Sequence, residues 1–189
     1  MEAEKTEKTQ TITDRVLVKL LLVEDDTADR RLVEQFLARC SQPLEFAVES
    51  AGSLSSAIKY LGNAEYDVAL VDLGLPDSRG VETVRKISEV NPHLPIVVLT
   101  GLDDEETGLS AIKNGAADYL SKGQLLENTL VRAIRYAIER KKAEQKLKEA
   151  MEMKSEFTSM VSHELRTPLT AIKEGIAIVL EGIAGRIND

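Results

Sequence analysis

The fold is decided by the stretch Leu20-Leu21-Leu22-Val23-Glu24-Asp25-Asp26, in which a short apolar run ends in three consecutive acids. Similar apolar runs recur along the chain, and together they predict five strands, at residues 16–23, 46–50, 67–72, 95–100 and 117–121. Most are rich in Val, Leu or Ile without alternation, as is typical of parallel strands covered on both faces. Amphipathic patterns lie between them, so we expect an α/β fold, a doubly wound five-stranded parallel sheet.

The composition argues against several classes of protein. The 189 residues are 43% hydrophobic, which is enough for a folded core. The net charge of −8 disfavours nucleic acid or an anionic membrane surface as the main partner. No apolar run approaches the roughly 18 residues of a membrane span, and the N-terminus lacks a signal-peptide core. With Cys40 as its single cysteine, the chain is predicted to be cytoplasmic, without a disulfide or a membrane span.

Polar residues follow four of the predicted strands. Glu24 and Asp25 end the first, Asp72 the third, Thr100 the fourth and Lys122 the fifth. In a doubly wound sheet these ends meet at one edge, where ligands bind. Clustered carboxylates repel one another unless a cation lies among them, and oxygen ligands suit Mg²⁺ better than Zn²⁺. A lysine and a hydroxyl beside that ion can bind the equatorial oxygens of a phosphoryl group, so phosphoryl transfer is the predicted chemistry.

Four longer motifs carry a family resemblance. They are LLLVEDD at 20–26, ALVDLGLPDSRG at 69–80, IVVLTG at 96–101 and GAADYLSKG at 115–123. Together they resemble the response-regulator receiver domain, a flavodoxin-like fold, over about residues 17–140.

The resemblance implies a role for each residue of the edge. Asp72 would be the phosphoacceptor nucleophile, forming an acyl phosphate. Asp25 would ligate Mg²⁺ directly and Glu24 mainly through water, with the main-chain carbonyl of Gly74 as a further ligand. Lys122 would pair with the phosphate, and Thr100 would turn its hydroxyl toward it. Asp26 lies one position past the family's acidic pair, so it is a weaker candidate for a site residue than these.

Switching in this family uses the space that the threonine vacates, which an aromatic residue three positions before the lysine then fills. Here that residue is Tyr119. The family's lysine usually precedes a cis proline, whereas Gly123 follows it here, so the resemblance leaves the loop geometry open. Asp77 and Ser78 follow the phosphoacceptor strand and either tune hydrolysis or form a turn that caps the next helix.

The sequence after Leu125 predicts one long helix, because up to Glu181 it contains one proline and one glycine among strong helix formers. A 4, 3, 4, 3, 4 spacing predicts the seam of a two-stranded coiled coil, with a lysine as its polar interruption. The seam residues are Ala143, Leu147, Ala150, Lys154, Phe157 and Val161. We therefore expect a homodimer through a parallel coiled coil.

The motif SHELRTPL at 162–169 resembles the H-box of the histidine kinase dimerisation and phosphoacceptor domain, over about 151–189. The resemblance implies that His163 is autophosphorylated, that Glu164 is its acid/base partner and that Thr167 positions water for phosphatase action. No glycine-rich nucleotide cradle follows, so ATP would act only through a catalytic domain absent from this chain. We expect a fragment of a hybrid-type histidine kinase, with a natural short chain as the alternative; whether the chain itself is an enzyme stays open.

The expected organisation has four parts: a disordered tail at 1–14, a receiver core at 15–128, the last receiver helix extended into a coiled coil at 125–155, and an incomplete phosphoacceptor domain at 151–189. The expected partners are an upstream histidine kinase or phosphotransfer protein and an ATP-binding kinase domain.

In the main interpretation, the receiver regulates the helix that carries His163. Alternatively, the chain is a stand-alone dimeric response regulator, a phosphorylation-controlled binding module with His163 unused. A third interpretation, an intramolecular phosphate sink for His163, requires a helix break between Leu125 and Glu156.

Overall fold

The structure is a computed structural model that describes residues 16–40, 44–101 and 105–180. The predicted tail at 1–14 and the final segment, 181–189, lie outside the described residues. The chain divides into two units, Met1–Lys142 and Ala143–Asp189.

One parallel sheet organises the described part of the first unit, in the order β2-β1-β3-β4-β5. The strands are Val16–Val23 (β1), Leu44–Ala51 (β2), Val68–Asp72 (β3), Ile96–Thr100 (β4) and Asp118–Ser121 (β5). The helices are Thr27–Arg39 (α1), Leu54–Asn63 (α2), Val81–Val90 (α3), Glu105–Lys113 (α4) and Glu127–Leu180 (α5), with a 3-10 helix at Lys122–Gln124. The predicted doubly wound α/β fold followed by a long helix is confirmed.

The sheet is buried on both faces because successive side chains of a strand point in opposite directions. In β1, Leu21 and Val23 join the core under α2, α3 and α4, whereas Leu20 and Leu22 join the core under α1 and α5. All four of these side chains are completely buried. The parallel pairing of each central strand with both neighbours brings the carboxyl ends of the strands level with one another. This register fixes the edge where the polar residues lie.

The N-termini of α1 and α2 are capped by side chains. Asp26 accepts hydrogen bonds from the backbone N–H groups of Ala28, at 2.7 Å, and Asp29, at 3.0 Å. Ser53 accepts a hydrogen bond from the N–H of Ser56, at 3.2 Å. These contacts satisfy N–H groups that have no partner inside the helix.

In the second unit, the described residues are helical and carry a set of exposed apolar side chains. These are Leu147, Met151, Met153, Phe157, Met160, Leu165, Leu169, Ile172, Ile176 and Ile178. Pro168 lies inside this helix. Among the residues that the structure describes, no helix combines the length and the apolar character needed to cross a membrane.

Candidate functional site

The carboxyl ends of four strands form the candidate site, and strand register brings them together. Asp72 is the last residue of β3 and pairs with Leu99 of β4, next to Thr100. On the other side, Val23 of β1 pairs with Val71, so Glu24 follows β1 at the level of Asp72. The sequence prediction that these ends meet at one edge matches what the structure shows.

Three carboxylates lie close enough to share one cation. Glu24, Asp25 and Asp72 each offer an oxygen, and these oxygens all lie within 4.8 Å of one another. Glu24 is completely buried and Asp72 is 9% exposed. Like charges at this spacing destabilise one another unless a cation compensates them.

The donor set fits a hard divalent ion such as Mg²⁺. All three donors are oxygens, as such ions prefer. The buried Oε2 of Glu24 makes no hydrogen bond of good geometry within the described residues, although an ammonium lies beside it. An under-satisfied buried carboxylate oxygen is a group that a bound cation or its water ligands would satisfy.

Gly74 contacts the same cluster. Its backbone N–H donates a 3.1 Å hydrogen bond to Oδ2 of Asp72. A Cβ atom at this position would lie 3.2 Å from that oxygen, so a side chain would crowd the carboxylate. The N–H of Gly74 thus lies against Asp72, and the carbonyl ligand expected at Gly74 stays a prediction.

Lys122 joins the carboxylates through three ion pairs. Its ammonium lies 2.7 Å from Oε2 of Glu24, 2.9 Å from Oδ2 of Asp29 and 3.1 Å from Oδ1 of Asp72. Burial alone would lower the pKa of Lys122, but these carboxylates outweigh burial and hold that pKa above its usual range. Lys122 is therefore a fixed positive charge beside Asp72 at any physiological pH.

Burial has the opposite effect on the buried carboxylate. It raises the pKa of Glu24, and the pairing with Lys122 opposes that rise without cancelling it. The site thus contains a carboxylate whose charged form is costly in the absence of a further cation, which agrees with the oxygen-rich donor set.

Asp29 is the residue that sequence reasoning missed. It lies in the first turn of α1, not at a strand end, and a search restricted to strand ends passes over it. The available signal was its position three residues after the N-cap Asp26, since the first turn of this helix follows directly from the acidic strand end.

Asp26 and Arg30 hold the turn between β1 and α1. The Asp26 carboxylate is engaged at the helix N-terminus, and the N–H groups of Asp29 and Ala28 lower its pKa. The Arg30 guanidinium donates to the backbone carbonyl of Glu24, with distances of 2.6 and 3.2 Å. This arrangement fixes the backbone that presents Glu24 and Asp25.

Thr100 and Tyr119, the predicted switch pair, lie on neighbouring strands: Thr100 ends β4, and Tyr119 pairs with Val98 of β4. Thr100 is 3% exposed, and its hydroxyl donates a long, weak hydrogen bond of 3.5 Å to the carbonyl of Leu120. The Tyr119 ring is partly buried and lies against α4 at Gly108, where a Cβ atom would come within 2.7 Å of Cε2 of the ring. The ring can occupy this partly buried position because residue 108 has no side chain.

The loop after Asp72 is tied to a different helix from the one predicted. Asp77 accepts hydrogen bonds at 2.9 Å from the N–H groups of Leu54 and Ser55, and one at 2.7 Å from the Ser55 hydroxyl. It thus caps the preceding helix, α2, and the expectation that it caps the following helix was wrong. The N-cap of α3 is Gly80, which makes no side-chain cap. Nearby sequence alone does not show this contact, because its partners are 22 and 23 residues away.

The predicted histidine segment lies in the second unit. His163, Glu164 and Thr167 are exposed on α5, and the Thr167 hydroxyl is 3.5 Å from the carbonyl of His163. An exposed imidazole beside a carboxylate residue is accessible to a phosphate donor.

The sequence matches two protein families, each over its own part of the chain. Residues 20–135, more than half of the chain, match the response regulator receiver domain. Residues 153–182 match the His Kinase A (phospho-acceptor) domain. A receiver followed by an H-box helix, as the motifs indicated, is thereby confirmed.

Curated bacterial regulators are similar to this chain over the receiver-like part. The photosynthetic apparatus regulatory protein RegA of Rhodobacter capsulatus is 40% identical over 106 residues, which are 54% of this chain and 54% of RegA. The transcriptional regulatory protein PmrA of Pectobacterium parmentieri is 33% identical over 105 residues, 56% of this chain and 46% of PmrA. The chain therefore spans about half the length of these relatives.

Solved receiver structures share the fold. A CheY-like receiver domain protein from Methanospirillum hungatei JF-1 has a TM-score of 0.59 and 26% identity, over 68% of this chain and 99% of that one. A receiver domain protein from Clostridium thermocellum has a TM-score of 0.58 and 29% identity, over 67% and 98%.

Proposed function

Because this chain belongs to the response regulator receiver domain family, we propose that it acts in two-component signal transduction by accepting a phosphoryl group on Asp72 in a Mg²⁺-dependent reaction. The observation that carries the proposal is the Lys122 ammonium, 3.1 Å from Oδ1 of Asp72, beside the oxygen cluster of Glu24, Asp25 and Asp72.

In the proposed reaction, a carboxylate oxygen of Asp72 attacks the phosphorus of a phosphodonor. The bond between phosphorus and the leaving group breaks, and the leaving group departs with the electron pair, which yields an acyl phosphate. Lys122 compensates negative charge on the phosphoryl oxygens, and Thr100 turns its hydroxyl toward one of them. Mg²⁺, when held by Asp25, Asp72, the Gly74 carbonyl and, through water, Glu24, supplies further positive charge there.

The test is phosphorylation by acetyl phosphate with and without Mg²⁺, followed by intact-protein mass spectrometry. The expected result is addition of one phosphoryl group to the wild type in Mg²⁺ only, and none to Asp72→Asn. Asp67→Asn is the matched control, because Asp67 precedes β3 at the opposite end from Asp72 and accepts a hydrogen bond from the backbone of Lys19. Equal labelling of Asp72→Asn and wild type would end the proposal.

We further propose that the receiver regulates the helix that carries His163, as the match of residues 153–182 to a phosphoacceptor domain supports. In this proposal the chain is a homodimer through a parallel coiled coil, and an ATP-binding kinase domain phosphorylates His163 with Glu164 as acid/base partner. An upstream histidine kinase or phosphotransfer protein would supply the phosphoryl group that the receiver accepts. The boundaries at 1–14, 15–128, 125–155 and 151–189, and the cytoplasmic location, stay predictions from the sequence.

The alternative, a dimeric binding module with His163 unused, makes a different prediction. Labelled ATP and a separately supplied histidine kinase catalytic domain should label the wild-type chain and fail to label His163→Gln if the histidine is a phosphoacceptor. No label on the wild type, or equal label on both, favours the binding module.

A further inference from the structure

The Lys122 ammonium has more carboxylate partners than the proposed phosphoryl chemistry leaves room for. An ammonium donates three hydrogen bonds. In this structure three oxygens, from Glu24, Asp29 and Asp72, lie within 3.1 Å of it. A phosphoryl oxygen that pairs with Lys122 must therefore displace one of these carboxylates or share its donor.

The three carboxylates differ in how easily water can replace the ammonium. The side chain of Glu24 is completely buried and that of Asp72 is 12% exposed, whereas that of Asp29 is 42% exposed. Releasing a buried carboxylate leaves an uncompensated charge, and releasing an exposed one restores its hydration. Asp29 is the partner that can be lost at the smallest cost.

Asp29 also stands apart from the cation site. The oxygen cluster consists of Glu24, Asp25 and Asp72, and Asp29 is not a member of it. Its position is fixed by the first turn of α1, where its own backbone N–H is held by the Asp26 cap. Its carboxylate therefore touches Lys122 without belonging to the group of oxygens that would hold Mg²⁺.

We propose that Asp29 is a positioning residue that holds Lys122 in the unphosphorylated protein and is displaced from it by a phosphoryl oxygen. The proposal rests on the proposed function of Asp72. Asp29 touches neither the phosphoryl group nor the ion; it acts by competing for Lys122. It adds one negative charge to a pocket that an anion must enter, so it weakens anion binding and slows phosphorylation by small donors.

The test measures beryllofluoride binding to the full chain at saturating Mg²⁺ by calorimetry, together with Mg²⁺ binding alone. Asp29→Asn removes the charge and keeps the shape. Its beryllofluoride affinity and its rate of labelling by acetyl phosphate should rise about two- to five-fold, the range for a partly exposed ion pair. Its Mg²⁺ affinity should change less than about two-fold, and this split is one that a merely structural role of Asp29 would not produce.

Two further variants serve as controls. Asp29→Glu keeps the carboxylate and should return beryllofluoride affinity to within about two-fold of wild type. Glu65→Gln removes one exposed negative charge in the loop before β3, at the opposite end of that strand from Asp72, and should behave as wild type. An equal rise in Glu65→Gln would assign the effect to net charge and overturn the role of Asp29.

A structure of the wild type with Mg²⁺ and beryllofluoride tests the same point without a variant. Displacement predicts that the Lys122 ammonium pairs with a fluorine and that Oδ2 of Asp29 moves out of hydrogen-bond distance. If Asp29 stays within about 3 Å of Lys122, or if Asp29→Asn binds beryllofluoride no better than wild type, the inference is wrong while the proposed function stands. If the wild type binds no beryllofluoride at all, the proposed function itself fails.

Discussion

The Lys122 ammonium lies 2.7 Å from Oε2 of Glu24, a side chain with no solvent exposure. Glu24 follows β1 and Lys122 follows β5, and these two strands are separated in the sheet by β3 and β4. The ion pair therefore connects strands that share no backbone hydrogen bonds, directly across the position of Asp72. Because of this contact we expect Lys122 to contribute to stability, in addition to the phosphate-binding role proposed for it.

Replacing Lys122 with methionine should destabilise the protein by about 1–3 kcal/mol at neutral pH without Mg²⁺, because the substitution leaves Glu24 buried beside Asp72 without a compensating cation. Urea unfolding followed by circular dichroism measures this. Lys86→Met is the matched control, since Lys86 forms an exposed pair with Glu82, and it should change stability by less than about 0.5 kcal/mol. Equal effects of the two variants would contradict the assigned role of the Lys122 pairs.

Neighbouring acids should differ sharply in their effect on Mg²⁺ binding. Asp25→Asn should weaken Mg²⁺ binding at least about ten-fold, because Asp25 belongs to the oxygen cluster. Asp26→Asn removes the same charge one residue later but keeps a good N-cap for α1, so it should change Mg²⁺ affinity by no more than about three-fold. Calorimetric titration of Mg²⁺ compares them. Similar losses in both variants would mean that net charge, not ligation by Asp25, determines affinity.

Asp77 should make the stability of the protein depend on acid pH. Hydrogen bonds from Ser55, both side chain and backbone, and from the N–H of Leu54 hold the pKa of Asp77 below its usual range. Its stabilising effect is therefore complete above the unfolded-state pKa of about 4 and is lost as the pH falls through the lower folded-state pKa. Asp77→Ala should cost about 1 kcal/mol at pH 7, and this cost should shrink below about pH 4.

The control for this pH dependence is Ser53→Ala, which removes the other cap of α2 and no titrating group. This substitution should also lower the free energy of unfolding by about 1 kcal/mol, and by the same amount at pH 7 and below about pH 4. Urea unfolding at the two pH values measures both variants. A cost of Asp77→Ala that does not vary with pH would show that the charge of Asp77 contributes nothing to the cap.

The exposed apolar side chains of the second unit should mediate self-association. Phe157 is 62% exposed and lies on the predicted seam. Phe157→Glu would bring a charge into each half of the dimer interface and should weaken dimerisation about 100-fold or more, as sedimentation equilibrium would show. Ser159→Glu, on the opposite face of the same turn, should leave the dimer intact. A wild-type chain that is monomeric at high concentration would rule out the coiled-coil proposal.

Residues at strand ends could be predicted from the sequence because parallel strands place their carboxyl ends at one edge whatever the details of packing. The contact of Asp29 with Lys122 was missed because Asp29 lies in the first turn of α1 rather than at a strand end, and its partner is 93 residues away. The Asp77 cap was predicted for the wrong helix for the same reason. The helix after β5 was expected from Leu125, whereas α5 begins at Glu127, after a short 3-10 helix at Lys122–Gln124.

The close approach of Gly108 to the Tyr119 ring restricts which substitutions position 108 can accept. The ring position depends on a hydrogen atom where any other residue would carry carbon, so the side chains that positions 108 and 119 can accept depend on each other. An alanine at position 108 would have to push the ring away from α4, although residue 108 belongs neither to the oxygen cluster of Glu24, Asp25 and Asp72 nor to the ion pairs of Lys122.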